Sequence, residues 1–373
     1  MKSIKEIESL QGKKVLVRVD FNVPIQDGVV LDDFRIRATL PTIKFLKEHG
    51  AKIILISHVG RDSQMSFQPI VPTISKYIDH TFISHTTGEE VEHAINSMSN
   101  GEVILLENLR GNEGEISNDE TFAKALASFA DIYVNEAFSV SHRMHASIVG
   151  VPQYIDGYSG LQFDKEVENL KKVLEKPDHP FLFIIGGAKF KTKIPLIEKF
   201  LDAADHIYIT GALVNTFYKE EGFEVGTSLV SDQAYDLHNV LKNKKIILAS
   251  DVVVMKEDKI EVKKFNEVEK DEMIVDIGPE SFKELEKLVS NSTFILWNGP
   301  LGYYEHGFKD STENLVKVLS QSDSKTIVGG GDTVALISKL KLEDSFSFVS
   351  SGGGAMLEFL QKGTLPGIEA LKQ

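Results

Sequence analysis

The sequence predicts an α/β protein of two domains, each built on a mostly parallel sheet with crossover helices. Three observations predict it. Short apolar runs recur along the chain with helical segments between them, and strands separated by helices pair in parallel. These runs end in polar, glycine or arginine clusters, where ligands bind in such sheets. Finally, 373 residues exceed one ordinary core, since domains run to roughly 150 residues.

The elements follow in order. In Val17-Arg18-Val19-Asp20-Phe21-Asn22-Val23-Pro24, strand alternation puts Val17, Val19 and Phe21 on one face and Arg18, Asp20 and Asn22 on the other. Buried charge must be paired or used, so Arg18 and Asp20 either satisfy each other or face a ligand. Asp32-Asp33 open a helix with Arg35 in its first turn, and its apolar rhythm runs through Ile43, Phe45 and Leu46 to Gly50, with Pro41 as a start or a kink. Lys52-Ile53-Ile54-Leu55-Ile56 is a buried strand that delivers Ser57-His58-Val59-Gly60-Arg61. Val103-Ile104-Leu105-Leu106 delivers Asn108 and Arg110, and Ile132-Tyr133-Val134 delivers Asn135 and Glu136, with His142-Arg143 shortly after.

Residues 150 to 162 are turn-rich, and the helical spacing of Val167, Leu170, Val173 and Leu174 marks a connector that ends before Pro177. The expected division is 1–158, a connecting helix over 159–178, a second domain over 179–357 and a tail over 358–373. Pro180 to Ile185 then deliver Gly186-Gly187-Ala188-Lys189-Phe190-Lys191-Thr192-Lys193, either a phosphate-handling turn or a solvated helix start. Further strands end at Thr210-Gly211, Ser250-Asp251, Asn298-Gly299-Pro300 and Gly329-Gly330-Gly331-Asp332-Thr333. In the last of these, glycine lets backbone N–H groups close on phosphate, and Asp332 suits a divalent ion bound to that phosphate. Ser350-Ser351-Gly352-Gly353-Gly354 repeats the device.

Composition narrows the chemistry. No cysteine is present, which excludes disulfides, zinc-thiolate sites and thiol nucleophiles. The net charge is -14, which argues against nucleic acid as a partner. No apolar run approaches the roughly 18 residues of a membrane span, and the charged N-terminus does not resemble a secretory signal, so a cytoplasmic location is expected. His142 and His145 have the spacing of half a metal site but no matching ligands. All six arginines fall between Arg18 and Arg143, whereas the glycine-rich runs all lie after residue 185. Arginine binds phosphate and carboxylate by side chain, and glycine turns bind phosphate by backbone, so two anion sites of different construction are expected.

The motifs VRVDFNVP, SHVGR, LLENLR, NEAFSVSHR, GGAKFKTK, IGPES, WNGPLGYYE, GGGDT, SSGGGA and LPGIEAL, in that order, resemble the motif set of the phosphoglycerate kinase family across essentially the whole chain. The resemblance implies two Rossmann-like three-layer domains, a hinge helix and a C-terminal tail that returns to the first domain. It implies phosphoryl transfer from 1,3-bisphosphoglycerate to Mg-ADP, giving 3-phosphoglycerate and ATP, by a monomer with no nucleic-acid or membrane partner. It assigns Asp20, Asn22, Arg35, His58, Arg61, Arg110 and Arg143 to the phosphoglycerate site, with Phe21, Val59 and Gly60 between them, and Arg18 and His142 to the surrounding basic patch. Arg35 and Lys189 become the catalytic candidates. The nucleotide site takes Gly187, Lys193, Gly211, Asn298, Pro300, Glu305, Gly330, Gly331, Asp332 and Thr333, with Asp332 on Mg2+ and Gly352, Gly353 and Gly354 forming a phosphate-stabilising helix start.

The chain departs from the family pattern at several of these motifs. Glu136 stands for Asp, Ser139-Val140-Ser141 for Gly-Thr-Ala, Leu109 for Thr, Phe190-Lys191-Thr192 for Val-Ser-Asp, and Ser351 for Thr. Thr210 and Ala212 interrupt a triple glycine.

Overall fold

Both faces of the first sheet are covered, because its strands are apolar at odd and even positions alike. In the computed structural model, which describes residues 1–60, 64–233 and 235–372, Val15, Val17, Ile53, Leu55 and Val103 enter one buried cluster, and Leu16, Ile54, Ile56 and Ile104 another. The sheet is therefore the middle of three layers. The chain divides into two compact units, Met1–Leu170 with Lys362–Gln373, and Lys171–Gln361.

In the first unit, six parallel strands lie in the spatial order Thr81–Ile83, Val103–Leu106, Lys52–Ile56, Lys14–Arg18, Ile132–Asn135 and Gly157–Ser159 among the described residues. The first strand stops at Arg18, so Asp20 and Asn22 sit in the loop beyond its end rather than on it. The alternation nevertheless persists, since Val19 and Phe21 join Val17 in the same core. Pro41 lies inside the helix Phe34–Glu48, which Asp33 precedes. The strand Gly157–Ser159 occupies a stretch that reads as pure turn.

The helix Leu161–Glu175 follows, and the boundary between the units falls within it. Its start is satisfied by Glu136, whose carboxylate accepts the N–H groups of Gln162 and Phe163 at 3.1 and 3.0 Å and the Thr42 hydroxyl. Burial pushes that carboxyl up to about 8, against these donors. At the other end of the chain, Gly367 N–H donates to Ser141 O at 2.8 Å, and Leu371 and Ala370 enter cores of the first unit.

The second unit holds a second six-stranded parallel sheet, in the order Ile246–Leu248, His206–Ile209, Phe181–Ile185, Phe294–Asn298, Lys325–Gly329 and Phe348–Val349 among the described residues. Numbered along the chain this is 3-2-1-4-5-6, the order of dinucleotide-binding sheets. A three-stranded antiparallel sheet, Lys259–Lys264, Asp251–Lys256 and Met273–Ile277, stands beside it. The sequence shows no sign of its hairpin, whose turn is Glu257-Asp258 with Glu257 at a positive φ of 52°, in place of the usual Asn-Gly. Among the described residues no helix is long and apolar enough to cross a membrane.

Candidate functional site

Two polar clusters lie beyond the carboxyl ends of the two parallel sheets. In the first unit the strand order reverses between Lys14–Arg18 and Ile132–Asn135. Loops after such neighbours leave toward opposite faces and open a crevice. Asp20 comes from one loop and Ser139 from the other, and the Ser139 hydroxyl donates to the Asp20 carboxylate. Arg35 Nη1 lies 2.9 Å from that carboxylate and donates to Asn22 O at 3.1 Å. Asn22 Oδ1 in turn accepts Gly60 N–H at 2.9 Å, and Arg110 Nη1 donates to Gly60 O.

Arg18 and Asp20 thus do not satisfy each other. Arg35 takes Asp20, whereas Arg18, fully buried, donates from Nε to Ser147 Oγ at 2.9 Å and from Nη2 to His58 Nδ1 at 3.0 Å. Asp20 lies beyond the strand end, where the Ser139 hydroxyl, the Asn22 N–H and Arg35 take its carboxylate. Burial drives the His58 pKa well below its ordinary value, with the charges of Arg18, Arg110, Arg143 and Arg35 adding to it. Four arginines, from a strand end (Arg18), a first helical turn (Arg35), the turn Leu109–Gly111 (Arg110) and the segment after Phe138–Val140 (Arg143), are therefore gathered around one imidazole, which stays neutral. Arg110 is itself pushed down by burial and by Arg143 and Arg18.

Not every expected residue contributes a side chain. Phe21 and Val59 are buried in the core, so their backbones alone belong to these loops. Both backbone groups of Val59 are taken by Asn108, which accepts Val59 N–H and donates to Val59 O at 3.1 Å each. Asn108 also donates to Met65 O at 2.7 Å, and so holds the His58 loop in shape. Its functional role is not marked by the sequence, where it reads only as the end of a strand. Arg143 is exposed and His142 half-buried, whereas Arg61 lies outside the described residues. His145 faces Glu115 at 3.6 Å rather than pairing with His142.

In the second unit the order reverses between Phe181–Ile185 and Phe294–Asn298. Beyond these ends opens a cavity of about 410 Å³, lined by Gly187, Lys189, Lys193, Gly211, Asn298, Pro300, Glu305, Gly330, Gly331, Asp332 and Gly353. The floor is backbone packed on backbone. Gly187 N–H donates to Pro300 O at 3.1 Å, Gly211 N–H to Leu301 O at 2.9 Å and Leu213 N–H to Gly187 O at 3.0 Å. Gly211 has φ +63°, and a Cβ there would meet Gly187 N at 2.3 Å. Gly211→Ala should therefore pry the two loops apart, raising the nucleotide KM about 10-fold or more with 3-phosphoglycerate affinity within about two-fold. Steady-state kinetics with each substrate varied would check it, and an unchanged nucleotide KM would contradict this reading of the floor.

Helices Phe190–Phe200, Gly211–Glu220 and Gly331–Leu340 begin at this cavity, so the positive ends of three helix dipoles meet there, although the Gly211 and Leu213 N–H groups are themselves spent on the floor. Gly330 turns the last of these at φ +112°, and Asp332 is exposed in its first turn, with Thr333 buried behind. Gly352 is buried, and Gly353 leads into a fourth helix, Gly354–Lys362. Lys189 is exposed just before its helix, whereas Lys193 is buried and donates to Gly186 O. Burial brings the Lys193 ammonium down to about 7, with the like charge of Lys189 adding and Asp332 opposing.

The apolar wall was not legible in the sequence. Val252, Ile274 and Val275 line it from the antiparallel sheet, and Asn215 joins them, its Nδ2 donating to Leu229 O at 3.1 Å. The substituted Thr210 is absorbed into the floor, its hydroxyl donating to Leu301 O at 3.0 Å. An apolar slot of this size, rimmed by backbone donors and lysine, has the makings of a nucleoside polyphosphate site.

Comparison with known proteins gives a consistent picture. The family model described as phosphoglycerate kinase matches residues 4–363. A phosphoglycerate kinase of Dictyoglomus turgidum is 43% identical over 383 residues, covering 98% of this chain and 97% of the relative. That of Pseudothermotoga lettingae is 42% identical over 389 residues, covering 99% and 98%. Among solved structures, phosphoglycerate kinase from Coxiella burnetii is similar with a TM-score of 0.83 at 35% identity, covering 100% of this chain and 98% of that one. Phosphoglycerate kinase from Pyrococcus horikoshii OT3 is similar with a TM-score of 0.88 at 27% identity and the same coverage.

Proposed function

The chain belongs to the phosphoglycerate kinase family and is a phosphotransferase with a carboxyl group as acceptor, and from that premise we propose how its residues divide the reaction. In glycolysis this reaction moves the acyl phosphoryl group of 1,3-bisphosphoglycerate to ADP, giving 3-phosphoglycerate and ATP. The observation that carries the proposal is the contrast between the units. One gathers arginines around a neutral histidine, and the other offers helix starts and glycine turns around an apolar slot. Asp20, Asn22, Arg35, His58, Arg110 and Arg143, with Arg61, are assigned to phosphoglycerate. The cavity of the second unit is assigned to the nucleotide, with Glu305 at the ribose and Asn298, Lys193 and Thr333 near the phosphates.

A β-phosphate oxygen of ADP attacks the phosphorus, and the bond to the acyl oxygen breaks, leaving the carboxylate of 3-phosphoglycerate. No enzyme nucleophile is required, because such transfer needs alignment and charge neutralisation above all. Lys189 and Arg35 are assigned to the transferring group. The family works on magnesium nucleotides. Asp332 fits that use, since an exposed carboxylate at a helix start can meet an ion whose other ligands are phosphate oxygens and water. Among the described residues no cluster of three or more His, Cys, Asp or Glu could hold a metal by itself. With the two substrates on different units, transfer requires closure around them, because an acyl phosphate left in water hydrolyses. A cytoplasmic monomer acting on small molecules is proposed, in keeping with both half-sites being built from one chain.

Purified protein supplied with 1,3-bisphosphoglycerate and Mg-ADP should form ATP in a coupled assay. Binding of both ligands without turnover would overturn the assignment.

Lys193 adds a proton-linked expectation. With its pKa at about 7 it is mostly neutral at pH 8, and polyphosphate favours its charged form. ADP binding at pH 8 should therefore take up roughly half a proton or more, and affinity should weaken as pH rises above 7. Calorimetry in buffers of different ionisation enthalpy would measure this. Lys193→Met should abolish the uptake, and a buffer-independent enthalpy for the unmodified protein would refute the linkage.

A further inference from the structure

We infer that Glu115 is a positioning residue for the phosphoglycerate site: its buried carboxylate, acting through Ser147, holds Arg18 so that His58 keeps its hydrogen on Nε2. The inference rests on the proposed assignment of that site to 3-phosphoglycerate. Glu115 is fully buried in the short helix Glu113–Ser117, which follows directly on the turn Leu109–Gly111 that carries Arg110. Its Oε1 accepts the Ser147 hydroxyl at 2.7 Å and its Oε2 the Ser147 N–H at 3.0 Å, with His145 Nδ1 3.6 Å away.

The donor directions along this chain are determined. A serine hydroxyl has one hydrogen. Once it is given to Glu115, Ser147 Oγ can only accept from Arg18 Nε, at 2.9 Å. Arg18 then reaches His58 Nδ1 at 3.0 Å with Nη2. Guanidinium offers no acceptor, so Nδ1 must present a lone pair and the neutral ring carries its hydrogen on Nε2. His58 is thereby fixed as a donor, the form that suits an anionic ligand.

Charge is also matched along the chain. Arg18 is fully buried and Asp20 is committed to Arg35, so Glu115 is the carboxylate that this network offers to Arg18. Burial pushes the Glu115 carboxyl up, but nearby His145, the charge of Arg18 and the Ser147 donors outweigh it and keep it below its usual range. Without that negative charge the Ser147 hydrogen is no longer committed, Arg18 keeps Val19 O and Ser57 Oγ on Nη1 but loses the contact that fixes Nε, and His58 can exchange tautomers.

Glu115→Gln keeps the shape and removes the charge. The KM for 3-phosphoglycerate is expected to rise about 10-fold, with kcat changed less than about 3-fold and the KM for Mg-ATP unchanged. The long-range 1H–15N spectrum of His58 should pass from a single Nε2–H pattern to a mixed one. Ser147→Ala leaves the carboxylate and cuts the bridge, and should reproduce the spectral change with a smaller rise in KM. Arg110→Ala is the comparison, expected to raise the KM for 3-phosphoglycerate while His58 keeps its tautomer. If Arg110→Ala does so and the other two variants match the unmodified protein in KM and spectrum, the positioning role is overturned and the substrate site stands. If none of the three moves the KM, the substrate site itself is wrong. A parallel rise of both KM values with an unchanged His58 spectrum would mark a merely structural carboxylate and overturn the inference. Should Glu115→Gln fail to fold, Ser147→Ala decides alone, by the same two readouts.

Discussion

Replacing Lys189 by Ala is expected to lower kcat about 100-fold or more while the KM for 3-phosphoglycerate stays within about two-fold. Lys189 lies just before the helix Phe190–Phe200 and lines the cavity, and its charge acts on the buried Lys193. The turn that presents it is held without its help, by Gly187 N–H on Pro300 O and by Lys193 on Gly186 O. Alanine therefore removes a charge and leaves the scaffold. That charge matters most when negative charge spreads over the oxygens of the phosphoryl group in flight, so the loss should fall on kcat. Lys189→Arg should recover only part of the rate, because a planar fork does not replace a compact ammonium. Steady-state kinetics in the ATP-forming direction would check both, and a near-normal rate for Lys189→Ala would remove this residue from the mechanism.

Arg35→Met should also cost about 100-fold in kcat, for a reason that must be separated from folding. Arg35 is the cation beside Asp20, a carboxylate only 4% exposed. Its removal leaves Asp20 with the Ser139 hydroxyl and the Asn22 N–H. Because Arg35 is itself partly exposed, the loss of stability should be modest, about 1–2 kcal/mol. Asp20→Asn in the Arg35→Met background removes the unpaired charge. Stability should then return while kcat stays low, because no arginine is aimed at the reacting group. Recovery of kcat in the double variant would mean that Arg35 serves Asp20 alone, and the four corners of the cycle measure this directly.

The architecture was legible because strand-to-helix alternation is a local signal, and the buried runs at Lys52–Ile56, Val103–Leu106 and Phe294–Asn298 stand where their composition puts them. The family was legible from motifs at the ends of those strands. What escaped was set by distance or by weak chemistry. The partner of Asp20 is Arg35, which the strand pattern alone could not choose over Arg18. Gly157–Ser159 is an edge strand of three residues, too short for an alternation to register. The antiparallel sheet that walls the cavity turns at Glu257-Asp258, residues that announce no hairpin. Glu115 and Ser147 meet only in the folded chain, and neither sits in a motif that suggests a role.

The backbone construction of the nucleotide floor has a consequence for how this protein tolerates change. A donor that is a peptide N–H is deleted by no substitution at its residue except proline, so drift along these turns is largely silent unless it brings proline or touches a glycine at the contact. Thr210 and Ala212 are examples, one tied to Leu301 O and the other merely lining the slot. The arginine cluster has the opposite exposure, since each of its charges can be lost in a single substitution. Selection on substrate preference thus has many handles in the first unit and few in the second.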